Sequence, residues 1–339
     1  MNFDMTIDLS FWQWFFNLPI FEAAKVIFAL GAWTLLFFVF FKAAVELWVE
    51  YREKKYTSKW QWVLLAVDVP ALFIQSPKAV EQIFAHLSGA LTSPNIFEKF
   101  WKGKKQKFFS FEIVSIEGYI QFLVRTEVEY RDLVEASIYA QYTEAEITEV
   151  EDYIENIPDK YPNEEYDIMG LEFKLSGNDA YPIRTYENFE QKISKDSVFS
   201  DPMASTLENF SRVGPGENLW MEMIVEPVTT KWKEKGIALV KEIMGQKVAA
   251  KPSIISSILE IPVSLMKELL ASLASPSEPG KEERKERVEL TPGTKGTVEA
   301  VETKISKIGF KSKIRILYAS HTNIYQPNRC VNGFVGSMN

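Results

Sequence analysis

The sequence predicts an α+β protein: an N-terminal transmembrane helix followed by two ferredoxin-like domains, each a split β-α-β unit. The second is incomplete and carries a long helical insertion. Three observations predict this. An uncharged apolar run lies near the N-terminus. Strand and helix patterns alternate between Trp60 and Tyr153 in the order β-α-β-β-α-β. A shorter version of that order recurs after Glu165.

The apolar run reads VIFALGAWTLLFFVFF from Val26 to Phe41, with Phe28, Trp33, Leu35, Leu36, Phe37, Phe38 and Phe40 inside it. Extended to Val49 it holds about two dozen residues, enough for a helix to cross a ~30 Å hydrocarbon core. Lys42 and Glu46 fall where they can reach the headgroups. A cleaved signal peptide would begin with positive charge; this chain begins with Asp4 and Asp8. Arg52, Lys54, Lys55 and Lys59 follow the run, so the charge rule puts the N-terminus outside and the bulk of the chain in the cytoplasm. The expected layout is an aromatic interfacial segment over 1–20, with Phe11, Trp12, Trp14, Phe15 and Phe16, and a membrane anchor over 21–50. The expected localisation is the cytoplasmic membrane, crossed once.

The first folded domain is expected over 60–153. Trp62 to Val69 reads as a buried strand. Ser76-Pro77 opens a helix with Val80, Ile83, Phe84 and Leu87 at helical spacing, and Gly89 ends it. Phe108 to Ile116 and Tyr119 to Glu127 form a hairpin around Glu117-Gly118. Tyr130 to Tyr142 is a second helix, and Ala145 to Val150 a closing strand. Lys99, Lys102, Lys104, Lys105 and Lys107 crowd the hairpin entrance as a candidate contact for anionic groups, weighed against a solvated loop.

The second domain is expected over 166–339. Leu171 to Leu175 and Ile183 to Phe189 are strand candidates, and Asp201-Pro202 caps a helix to Val213. Leu219 to Val225 is a strand and Thr230 to Met244 a helix. An insertion and linker occupy about 248–290. Within it Ser253 to Leu273 reads as a docking helix, with Ile255, Leu259, Leu265, Met266 and Leu269 on its apolar stripe. Thr291-Pro292 begins a helix, Phe310 to Ala319 a strand, and Asn328 to Met338 a last helix. The run stops at Asn339 before a closing strand, which predicts a fragment or a shortened reading frame.

Composition excludes several functions. The net charge of −8 does not support direct nucleic-acid binding. Cys330 is the single cysteine, so no intramolecular disulfide forms. His86 and His321 lie far apart, with no metal-ligand spacing around either. Gly293 to Thr297 has glycines and a lysine, but not in phosphate-loop order. Acidic pairs such as Glu144/Glu146 and Glu149/Glu151 are spaced for one strand face, but carboxylate pairs are common by chance. The expectation is no enzyme, no catalytic residue, no metal and no cofactor.

Three stretches carry a resemblance: Ser110–Tyr153 (SFEIVSIEGYIQFLVRTEVEYRDLVEASIYAQYTEAEITEVEDY), Asp201–Pro227 (DPMASTLENFSRVGPGENLWMEMIVEP) and Thr291–Ser320 (TPGTKGTVEAVETKISKIGFKSKIRILYAS). Together they resemble the membrane-anchored, non-motor region of conjugation or type IV secretion ATPase-like proteins. The resemblance implies a scaffold that positions a hexameric ATPase at the membrane face, with the lipid bilayer, that ATPase and further copies of itself as partners. A second reading is the N-terminal part of a translocation ATPase whose motor lies beyond residue 339. A third is a lipid-surface sensor built on the lysines and the docking helix.

Overall fold

Gly31 breaks the N-terminal apolar run. A computed structural model describes residues 14, 17–70, 77–185, 203–246 and 291–338. In it α1 (Ile20–Ile27) leads into a π-helical turn (Phe28–Ala32), where Gly31 takes a φ of 106° and a ψ of 16°. Only glycine adopts that conformation without strain. The chain then restarts as α2 (Trp33–Thr57). The uncharged part of α2 ends at Phe41; Lys42, Glu46, Glu50, Arg52, Glu53, Lys54 and Lys55 follow. At ~1.5 Å per residue the apolar stretch from Trp33 covers about 14 Å, half of what a bilayer core needs.

No helix among the described residues is long and apolar enough to cross a membrane. The expected anchor through Val26, Phe28, Trp33, Leu35, Leu36, Phe37, Phe38, Phe40 and Phe41 is therefore corrected. These residues are divided between α1, the turn and α2. The transmembrane part of the fold class, the single-pass membrane localisation and its N-out topology fall with it.

The described residues separate into two units. One runs through α1 and α2 to Gln61 and includes Thr92–Gln106; the other comprises Trp62–Leu91 and Lys107 onward. In the first, Glu98–Lys102 forms a π-helical turn against α2. Trp48 Nε1 donates to the Phe100 carbonyl at 2.9 Å, and the Trp48 and Trp101 rings lie 5.9 Å apart. Gly103 ends the turn at a φ of 70°, so close to α2 that a Cβ would lie 2.3 Å from the Arg52 carbonyl.

The second unit is built on one antiparallel sheet. Its strands are β1 (Trp62–Asp68), β2 (Phe109–Ile116), β3 (Tyr119–Glu127), β4 (Glu146–Val150), β5 (Tyr166–Phe173), β6 (Glu217–Pro227) and β7 (Phe310–His321). They lie in the order β4-β1-β3-β2-β6-β7-β5. Two separate sheets were expected; the structure has one, because β2 pairs along its whole length with β6.

Helices α3 (Lys78–Leu87) and α4 (Arg131–Tyr139) bury Ile83, Leu87, Val134 and Ile138 against Val63, Leu65, Phe109 and Val124. Helices α5 (Ala204–Ser211) and α8 (Pro327–Met338) bury Phe210, Val331 and Phe334 against Ile113, Leu219, Ile316 and Tyr318. Phe109 and Ile113 are an even number of residues apart on β2, so both cores lie on the same face of the sheet. Helices α6 (Lys233–Ile243) and α7 (Pro292–Ser306) pack on each other through Leu239 and Val301, beside Ala180. Thr291 caps α7 by accepting from Thr294 N, with Pro292 in the first turn.

Local chemistry sets these joints. Glu117 and Gly118 both have positive φ, 53° and 92°, the two-residue turn that matches strand twist in a hairpin. A strand was expected at Leu171–Leu175; β5 begins earlier and ends at Phe173. Ile183 to Thr185 are not in a strand, and the rest of that candidate lies outside the described residues, as does the docking helix with Ile255, Leu259, Leu265, Met266 and Leu269.

Candidate functional site

The sheet face opposite α3, α4, α5 and α8 carries a row of charges across its centre. Register places Glu112 of β2 directly opposite Glu222 of β6, and Glu222 opposite Arg315 of β7. Arg125 of β3 donates from Nε to Glu112 Oε1 at 3.1 Å and from its other nitrogens to Asp152. Tyr153 OH donates to Glu112 Oε2 at 2.8 Å. Arg315 Nη1 lies 3.8 Å from Glu222. Asp152 is placed by capping the short helix Tyr153–Asn156, where it accepts from Ile154 N. Tyr153 then lies edge-on to Trp220, 4.7 Å away.

The electrostatics follow from burial. Burial lifts the Glu222 carboxyl above its ordinary value, and the neighbouring Glu112 charge adds to this; Arg315 and Arg125 only partly offset it. Burial also lifts the Tyr153 hydroxyl, with Glu112 again adding. The Arg125 hydrogen bond holds Asp152 below its usual range despite some burial. Burial would lower the Arg125 guanidinium, but Asp152 and Glu112 outweigh it and the net shift is upward.

Adjacent carboxylates with an arginine and a tyrosine could serve acid–base chemistry. Here Glu112 is 3% exposed and both its oxygens are taken. A substrate cannot reach it, so the row acts as a lock joining β3, β2 and the Asp152–Tyr153 segment. A second lock uses Glu217, which accepts from Tyr318 OH at 2.6 Å, from Gly214 N at 2.7 Å and from Arg329 of α8. The sequence carries a signal for the first lock that composition hides: Glu112 and Glu222 are lone carboxylates inside the apolar strands FSFEIVSI and WMEMIV.

The first unit carries an exposed apolar stretch. Trp33, Leu36, Phe37, Phe38, Val39, Phe40 and Phe41 are each more than half exposed. The Phe37 and Phe41 rings stack 6.0 Å apart, one helical turn from each other. Phe28 of the π-helical turn is exposed, and Val26 of α1 is half-buried. A shallow cleft of about 290 Å³ lies between α2 and the second π-helical turn, lined by Val45, Val49, Phe100 and the charged Glu46, Glu50, Glu53 and Lys99.

The five lysines do not form one patch. Lys99 and Lys102 are exposed. Lys104 pairs with Glu98 at 3.4 Å and Lys105 with Glu53 at 3.4 Å. Lys107, in the other unit, is 8% exposed and held by Glu127 at 2.7 Å and by Glu129, over the Tyr130 ring. Among the described residues no group of three or more His, Cys, Asp or Glu is placed to hold a metal.

Comparison with the curated proteins and with the solved structures finds no match. A family model, Domain of unknown function (DUF8128), matches residues 78–333. That span runs from the start of α3 into α8 and takes in six of the seven strands. The chain belongs to the DUF8128 family.

Proposed function

We propose that the chain is a non-enzymatic assembly protein of a conjugation- or type IV secretion-like translocation system, which holds a partner ATPase. The observation that carries this reading is the aromatic stretch of α2. Apolar patches of this kind on a folded protein mark partner sites. Trp33, Phe37 and Phe41 recur every four residues, the spacing with which a helix fills a groove. The distal part of the same helix is fixed by Trp48, Trp101 and the Lys105–Glu53 pair, so the aromatic end is presented rather than left to collapse. The partner class comes from the sequence resemblance: such regions precede, or are encoded beside, a hexameric phosphate-loop ATPase.

The test is a calorimetric titration of the full chain with a hexameric phosphate-loop ATPase of the translocation class that the resemblance implies. Burial of the aromatic stretch predicts a negative heat-capacity change. The double variant Phe37→Ser, Phe41→Ser should weaken binding by about tenfold or more, as lost apolar anchors do. No binding by the wild type, or ATP turnover by this chain alone, contradicts the reading.

A further inference from the structure

We propose that the outer edge of β5 accepts an added strand from a partner protein, antiparallel to β5. That strand carries apolar residues at alternate positions and lysine or arginine at its ends. The inference stands on the sheet alone and does not depend on the role of α2.

The sheet repeats itself. The order β5-α5-β6-β7-α8 follows β1-α3-β2-β3-α4, with α6 and α7 inserted between β6 and β7. The spatial order repeats too: β1 lies beside β3 and β3 beside β2, while β5 lies beside β7 and β7 beside β6. The halves meet at β2 and β6. β1 is paired on its other side by β4; among the described residues nothing pairs with the other side of β5.

Burial records the difference. Val63, Leu64, Leu65 and Ala66 of β1 are 5%, 4%, 0% and 1% exposed. No residue of β5 is buried, although Met169, Leu171 and Phe173 face the α5–α8 core. The two sheet edges also differ in how they are guarded. β4 is five residues long and carries Glu146 and Glu149. β5 is eight residues long, pairs with β7 without a bulge, and its two acids, Asp167 and Glu172, stand near its ends, leaving the uncharged stretch Ile168-Met169-Gly170-Leu171 at its centre. Proteins usually blunt a free edge with charge, proline or a bulge, and an unblunted edge templates strand addition.

Charge selects the occupant. Glu164 and Glu165 are exposed just before β5, and Asp167 and the exposed Glu172 lie within it. Lys313 is already paired with Glu172 at 2.9 Å. A second copy of β5 would bring the same acids to this edge, and like charges across a strand pair are destabilising. A strand with basic ends is attracted to it.

The experiment uses the full chain and a synthetic peptide, Lys-Val-Thr-Ile-Thr-Val-Lys, which has apolar residues at alternate positions and a lysine at each end. Hydrogen exchange read by mass spectrometry should slow over Tyr166–Phe173 by about tenfold when the peptide binds. The same peptide with glutamate in place of each lysine should give little protection. In Gly170→Lys a Cβ meets nothing nearer than 4.0 Å, so the sheet should form with an unchanged melting temperature, yet the edge lysine should abolish the protection. The proposal is overturned if the basic peptide leaves β5 exchange unchanged, or if Gly170→Lys binds it as well as the parent. It is also overturned if β5 protection rises with protein concentration alone, which would make the occupant a second copy.

Discussion

Glu112 and Glu222 face each other directly across the β2–β6 pair, so the seam between the two halves of the sheet carries two carboxylates side by side. Only Glu112 has a close cation: Arg125 lies 3.1 Å away, whereas Arg315 stands 3.8 Å from Glu222. The arrangement holds while Arg125 and Tyr153 are in place.

Arg125→Leu should therefore destabilise the protein by about 3–5 kcal/mol, because it leaves Glu112 buried without its cation. Tyr153→Phe removes one hydrogen bond to the same carboxylate and should cost about 1–2 kcal/mol. Urea unfolding of the full chain, followed by far-ultraviolet circular dichroism, measures both. A parent-like midpoint for Arg125→Leu would show that the charge row is not a lock.

Glu222 and Asp152 should respond to pH in opposite senses. The Glu222 carboxyl is raised by burial and by Glu112. Its stabilising contribution is complete below the ordinary glutamate value of about 4.3 and is lost as pH rises through the folded value. Glu222→Gln should then stabilise the protein at neutral pH by about 1 kcal/mol, the size of a typical point effect, and lose that advantage in acid. Asp152 is lowered by Arg125, so its contribution is present above about 3.9 and lost below that as pH falls. Asp152→Asn should be destabilising at neutral pH and converge on the parent in acid. Melting temperatures across the acid range of pH check both signs.

Lys107 and Lys99 should separate structure from surface. Burial would lower the Lys107 ammonium, but Glu127 and Glu129 outweigh burial and raise it. Its contribution is complete below about 10.4 and lost as pH climbs through the folded value. Lys107→Met should cost about 3 kcal/mol by stranding Glu127. Lys99→Glu, on an exposed side chain, should stay within about 0.5 kcal/mol of the parent. Thermal melts of both variants test the contrast.

Gly103→Ala should loosen the second π-helical turn from α2. The residue needs positive φ, and its Cβ would meet the Arg52 backbone. A cost of about 2 kcal/mol is expected from backbone strain, before the clash is added. The tryptophan emission should shift to the red as Trp48 and Trp101 separate; an unshifted spectrum would show that the turn does not depend on Gly103.

Short-range features were legible in the sequence. The alternation that placed a strand at Phe108–Ile116 describes β2 to within one residue, because each side chain reports directly on its face. The Glu117-Gly118 turn and the Thr291-Pro292 helix start were readable because their backbone demands leave few residue choices. Three things were not. Gly31 sits inside a run whose composition is that of a continuous helix, and nothing in composition says where such a helix kinks. The pairing of β2 with β6 joins residues about a hundred positions apart, and strand patterns do not name their neighbours. Lys107 looked like one of five exposed lysines because sequence shows the charge but not the Glu127 and Glu129 that meet it.

The most direct test of the assembly reading is site-specific photo-crosslinking. Benzoylphenylalanine replaces Phe38 on α2 or, as a control, Tyr119 at the exposed end of β3; the two are 65% and 66% exposed. Each form is irradiated with a phosphate-loop ATPase of the proposed translocation class. The account predicts a chain–ATPase adduct from position 38 and none from position 119. An adduct from position 119 alone, or from position 38 only to another copy of this chain, would contradict it.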